Sequence, residues 1–340
     1  MKKLKVVAVV SALSVGLAGC GEDTAPPPTP EMGSASPVES PASTDPTGEV
    51  TDFDAITDMD LTGDTLGVRT AEGLFVGTLD EILAGEVSPI TLDDSCTEVS
   101  AHDGVFTVAC GTTVRMIDDK GGEETLELEE PANAAVRISN GDVVTASGTE
   151  GKAWVYRGGA LDADFQVQDS TDQLIAVAHD DDEADDVVRI GREMTTIQDI
   201  DLDNGRGGGT LRVGLGVAQM APGEDGLVVV ADNMANQLAI YTAGEVIRLH
   251  QTAPVDPAPW GVAWDPAKDL AWITSLEKNT AAGYDISNGV PLEQARLDTV
   301  ADAQNMVVLD DGTLVIASAS GDGLQVVSPD SITDNTGNGE

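Results

Sequence analysis

The chain has 340 residues, and 60 Asp+Glu against 17 Lys+Arg give it a formal charge of −43. A polyanion of that strength excludes recognition of a phosphate backbone or of anionic headgroups through a basic patch, so no nucleic-acid partner is expected. With 41% hydrophobic residues it can still bury a core, which excludes global disorder, while 3% aromatics and 37 Gly suit many short strands joined by tight turns.

In chain order, Lys2, Lys3 and Lys5 precede a 12-residue apolar stretch, Val6 to Leu17. That run is too short to span a bilayer and has the length of a signal-peptide core. Leu17-Ala18-Gly19-Cys20 follows and resembles a bacterial lipobox. The resemblance implies a signal peptide over 1–19 and a diacylglyceryl group on Cys20, with the membrane as partner through that anchor. Removal of 1–19 leaves 14 Lys+Arg against 60 Asp+Glu, a net charge of −46. Acidity of this kind suits solubility in high salt, where self-repulsion is screened. Residues 20–49 hold the lipidated Cys and a linker with seven of the 16 Pro. The linker reads as a tether of up to roughly 90 Å that leaves the orientation of the domain open. The last residues, 331–340, read as a disordered tail.

Between 50 and 330 a three-strand pattern recurs. Its middle strands begin at Leu66, Val105, Val143, Val187, Leu227, Leu270 and Leu314, spaced by 39, 38, 44, 40, 43 and 44 residues. Seven units with a period near 41 residues predict an all-β fold, a seven-bladed β-propeller. Turns such as Thr62-Gly63-Asp64, His102-Asp103-Gly104 and Asn140-Gly141-Asp142 supply residues that tolerate positive φ. A pair of β-sandwiches is the alternative architecture. The seventh unit lacks an outer strand, so Val50–Ile56 is expected to supply it and close the ring. Cys96 and Cys110 are equidistant from Asp103. A hairpin centred there sets them opposite one another, and an exported chain permits the disulfide.

Gly226–Tyr241 (GLVVVADNMANQLAIY) and Pro259–Ile286 (PWGVAWDPAKDLAWITSLEKNTAAGYDI) resemble NHL and YncE-like propeller repeats. Together with the lipobox, the chain is similar to actinobacterial propeller prolipoproteins of the LppL type. The resemblance implies a platform that binds proteins or small ligands and carries no catalytic residues over. YncE-like proteins have been associated with DNA, a role the charge argues against.

Candidate chemistry is sparse. His102, His179 and His250 fall in different repeats without metal-ligand spacing and read as solvent-facing. Asp180–Asp186 packs six carboxylates into seven residues, the ligand type of Ca²⁺, but no Gly turn folds it around an ion. Asp58-Met59-Asp60-Leu61-Thr62-Gly63-Asp64 and Asp199-Ile200-Asp201-Leu202-Asp203-Asn204-Gly205 share some Ca²⁺-loop character. The first has Arg69 where such a loop places Glu, and the second has its Gly one position late. Gly205–Gly209 reads as an interstrand loop, because no helix follows to hold a phosphate. No metal site or cofactor other than the lipid is expected. The face with the turns between second and third strands is the expected binding site for an envelope protein or small ligand. It would carry Asn233, Asn236, Lys278 and Asn279, with Trp260 beside the mouth of the channel. The alternative from another class is a metal-dependent propeller hydrolase or lactonase.

Overall fold

The computed structural model describes residues 31–179 and 184–334. Cys20, residues 1–19 that read as a signal peptide, and most of the acidic run lie outside the described residues. Seven antiparallel sheets follow one another along the chain. Their first strands are Asp58–Thr62, Cys96–His102, Ala134–Arg137, Gln173–Val177, Val217–Pro222, Pro259–Asp265 and Ala303–Val308. Each first strand touches the next, and that of the seventh sheet touches that of the first. The chain is a seven-bladed β-propeller.

The strands form because both faces of each blade are covered. The buried hydrophobic residues fall into seven clusters, and each joins two neighbouring blades. Second strands such as Leu227–Asp232 are therefore buried at every position and read as continuous apolar runs rather than alternating ones. All seven predicted middle strands are second strands of their blades. The turns before them take positive φ at Gly63 (54°), Asp103 (44°), Gly141 (91°) and Asp225 (46°).

Closure uses the predicted segment, over a shorter length. Glu49–Thr51 pairs with the third strand of blade seven, Val50 opposite Gln325. The chain then leaves the sheet, and Ile56 is buried in the core shared by blades seven and one.

Five features depart from the expectations, one being that Gly205–Gly209, read as an interstrand loop, runs into the outer strand of blade four, Arg206–Arg212. Blade one has three strands: after Gly73–Thr78 the chain forms the helix Leu79–Leu83, started by a capping box between Thr78 and Glu81. In blade two, Val105–Asp118 doubles back at Gly111 (φ 64°), since the Asp119 N–H donates to the Gly104 carbonyl at 3.1 Å. A straight run of that length would part its ends by more than ~40 Å. The C-terminal segment is ordered through residue 334: Ile332 is buried against blades six and seven, and Thr333–Asp334 pairs with the outer strand of blade six. Last, the Pro-rich segment is not a free tether from residue 31 onward, because it lies along one face of the ring.

Cys96 and Cys110 are cross-strand partners and form a disulfide, S–S 2.08 Å. The hairpin between them is not centred on Asp103. Asp103 and Gly104 form a two-residue turn between His102 and Val105, and a register shift between Cys96 and Val99 brings the cysteines opposite again.

Candidate binding face

One face of the ring carries the turns between second and third strands and the links from each blade to the next. The predicted turn residues of blades five and six lie here, and most of their hydrogen bonds are spent on the protein itself. Asn236 and Asn279 adopt φ of 53° and 51°, the left-handed conformation that Asn tolerates in a tight turn. Asn233 is buried and its side-chain amide donates to the Pro259 carbonyl at 3.0 Å. The Asn236 side-chain oxygen accepts from the Ala258 N–H at 3.1 Å, and its carbonyl accepts from Val255 N–H at 2.9 Å. Both bonds hold the link between blades five and six. Lys278 is exposed.

Trp260 is a correction. It is 5% exposed and packs with Ala258 and Leu276 in the core between blades five and six. The Arg192 guanidinium lies over it at 5.7 Å, so the ring meets a cation of its own chain rather than solvent. Asn233 and Asn279, at 9% and 8% exposure, are likewise buried. Positive φ and short amides made these residues legible as turns; the hydrogen bonds that tie Asn233 and Asn236 to the link between blades five and six were not legible.

The strap, residues 31–48, crosses this same face. Gly33 N–H donates to the Leu215 carbonyl at 3.0 Å. Ala35 is buried in the cluster that contains Trp260 and Leu276. Ser40 N–H donates to the Asp302 carboxylate at 2.8 Å. The Asn279 side-chain amide donates to the Pro41 carbonyl at 2.8 Å, and the Ser43 hydroxyl to the Thr299 carbonyl at 2.5 Å. At its end, Thr47 N–H donates to the Asp298 carbonyl at 2.9 Å, and Asp298 N–H to the Thr47 hydroxyl at 3.1 Å. Pro37, Pro41 and Pro46 remove donors, and the chain bends at Asp45 (φ 63°) and Gly48 (φ 83°), so it docks without joining a sheet before Glu49.

On the ring axis a cavity of about 160 Å³ is lined by Asp58, Asp60, Gln173, Gln219 and Asn305, with Ile175 among its apolar walls. These polar side chains stitch the first strands together. Asp58 accepts from Val99 N–H and Asp60 from Ala101 N–H, each at 2.7 Å. Glu98 accepts from Leu174 N–H at 3.2 Å, and Gln173 exchanges two bonds with the Met220 backbone. Burial pushes the Asp60 carboxyl up to about 7, with the charge of Asp58 adding to it and the Leu61 and Ala101 amides opposing. Burial likewise raises Asp58, against the Val99 amide and the Arg69 charge, and raises Glu98 well above the usual range, the charge of Asp58 adding. The Asp58/Asp60 pair, first read against a Ca²⁺ loop, belongs to this axis. Its signal was two carboxylates at alternate positions of one strand, which share a face.

The histidines lie elsewhere. His102 Nε2 is 2.9 Å from Asp185 and His179 Nε2 is 2.7 Å from Asp186, so both pin the described end of the acidic run; their side chains are only 15% and 11% exposed rather than solvent-facing. His250 pairs with the Thr242 hydroxyl at 2.8 Å. Among the described residues, no group of three or more His, Cys, Asp or Glu is arranged to hold a metal ion.

No protein-family profile and no curated protein matches this chain. Solved structures do. A chain of the mitotic checkpoint complex is similar at 15% identity over 95% of this chain and 98% of that one, TM-score 0.63. The virginiamycin B lyase of Staphylococcus aureus is similar at 12% identity over 82% and 99%, TM-score 0.61. The WD40 propeller domain of Doa1 is similar at 14% identity over 84% and 97%, TM-score 0.59. At such identities the likeness shows the propeller fold.

Proposed function

We propose that the protein is an exported, lipid-anchored propeller that binds a partner protein of the cell envelope on the strapped face. One observation carries the reading: this face already holds an extended peptide segment through hydrogen bonds to its backbone. The likeness to WD40 propellers and to a chain of a multiprotein complex supports a binding role. The lipobox-like Leu17-Ala18-Gly19-Cys20 supports the anchor, and on this reading the chain is a prolipoprotein of the actinobacterial LppL type.

The two parts are tested together. Cys20→Ala should leave the domain folded and move it from the membrane fraction to the soluble exported fraction; retention at the membrane refutes the anchor. Cross-linking in intact envelopes should capture a partner that Lys278→Ala, at an exposed turn position, reduces while the variant stays folded. Unchanged capture moves function to another face.

The second reading, a metal-dependent propeller hydrolase or lactonase, has one observation in its favour. Carboxylates with raised pKa gather on the axis of a fold shared with a lyase. Metal analysis of the purified domain separates the two: stoichiometric Ca²⁺ supports the enzyme, and its absence the platform.

A further inference from the structure

The strap is held lightly for a segment of its length. Of residues 31–48 only Ala35 is buried, and the segment adds no strand to any blade before Glu49. Its grip is one methyl group and a short series of hydrogen bonds. Most of those bonds read the main chain: the Gly33 and Ser40 N–H groups and the Pro41 carbonyl are the atoms engaged. Side-chain identity enters at Met32, whose Sδ accepts from the Arg212 guanidinium at 2.7 Å, at Ala35, whose methyl packs in the Trp260 cluster, and at the Ser43 and Thr47 hydroxyls.

The groove also has more hydrogen-bonding capacity than the strap uses. Asn279 is 8% exposed, and its Oδ1 is buried without a partner beside the Pro41 carbonyl that its Nδ2 holds. Thr299 is fully buried, and its Oγ1 is also without a partner, next to the carbonyl that receives Ser43. A proline at 41 brings an acceptor and no donor to this place. A buried acceptor left unmet costs free energy, so an occupant that brings an N–H there gains on the strap.

We propose that residues 31–48 occupy a peptide-binding groove in cis, and that its external partner is an extended protein segment of small residues and prolines with an alanine-sized side chain at the Ala35 position. This rests on the reading of the strapped face as the binding platform, and names what the platform takes and what gates it. Stiff extended segments lose little entropy on docking, which suits a groove that contacts mainly backbone. Attachment of the strap at Glu49 gives it an effective concentration of about mM. A partner therefore competes against a resident segment, and the free groove is exposed only when the strap lifts.

The full chain serves for the test, with Ala35→Asp to lift the strap, since a carboxylate in that apolar site is costly. Hydrogen exchange at the Gly33, Ser40 and Thr47 amides should rise in the variant while Val229 and Ile273 of the blade cores stay protected. A labelled synthetic peptide with the sequence of residues 31–47 should then bind Ala35→Asp at least ten-fold more tightly than the unaltered chain. Adding Asp302→Ala should weaken it again. Exchange that does not rise, or a lifted strap with no gain in peptide binding, overturns the proposal. If the peptide fails to bind while envelope cross-linking still depends on Lys278, the groove falls and the platform stands. If the peptide binds and no envelope partner is captured, the platform reading fails instead.

Discussion

Burial on the ring axis separates Asp60 from the exposed carboxylates that give the chain its charge. An unfolded Asp titrates near ~4, and the folded one is pushed up to about 7. Between those values the folded chain keeps a proton that the unfolded chain has released. This group's contribution to stability is thus complete below about pH 4 and is lost as pH rises through about 7. Asp58 and Glu98 are raised as well and act in the same direction. The thermal midpoint should be higher at pH 5.5 than at pH 8, and Asp60→Asn should flatten the difference; an equal slope in the variant rules out Asp60 as a source. Elsewhere a buried charge is matched instead. Arg189, fully buried between blades three and four, donates to Asp169 at 2.6 Å, to Thr171 at 2.8 Å and to the Ser170 carbonyl. Neither environment was legible in the sequence, because each is built from residues that only the closed ring brings together.

At the scale of the element, the sequence was most informative where a residue acts through its own backbone. Second strands were legible because both their faces are covered, so their apolar runs need no knowledge of the neighbour. The hairpin around Asp103 was legible from its positive-φ residues, but its centre and the compensating register shift were not. The helix Leu79–Leu83 was missed: it is five residues long, too short for a helical period to show. The disulfide closes 14 residues of separation at the edge of blade two. In the chain-entropy account a loop of this size is worth about 3 kcal/mol. Cys96→Ser with Cys110→Ser should therefore lower the free energy of unfolding in urea by about that amount, and added reductant should no longer change the midpoint. A double variant as stable as the unaltered, oxidised chain refutes the estimate.

For the whole molecule, one buried amide reinforces the strand pairing that closes the ring. Gln325 Nε2 donates to the Thr47 and Asp298 carbonyls, each at 2.8 Å, and its Oε1 accepts from Val300 N–H at 2.9 Å. It joins the end of the strap, the link between blades six and seven, and the strand that pairs with Glu49–Thr51. Gln325→Leu keeps the volume, orphans the Thr47 carbonyl and the Val300 N–H, and leaves the Asp298 carbonyl with the Thr47 N–H alone. Each unmet buried group costs about 1–3 kcal/mol, so the urea midpoint should fall well below that of the unaltered chain; an unchanged midpoint shows that closure does not run through this residue. The number of blades and the closing segment were legible from period and from the missing outer strand. The docking of residues 31–48 was not, because a Pro-rich composition excludes a packed core of its own without excluding adhesion to another.

The order in which the chain meets the ring has a mechanical consequence. The strap leads directly into the strand that shuts blade seven. A pull arriving through residue 31 is met first by scattered hydrogen bonds and one methyl group, and only then by the closing strand. The strap thus acts as a fuse: its 18 residues peel away before tension reaches Glu49, and fully extended they reach roughly 60 Å from it. A pull on the N-terminal side would bare the strapped face while every blade stays shut.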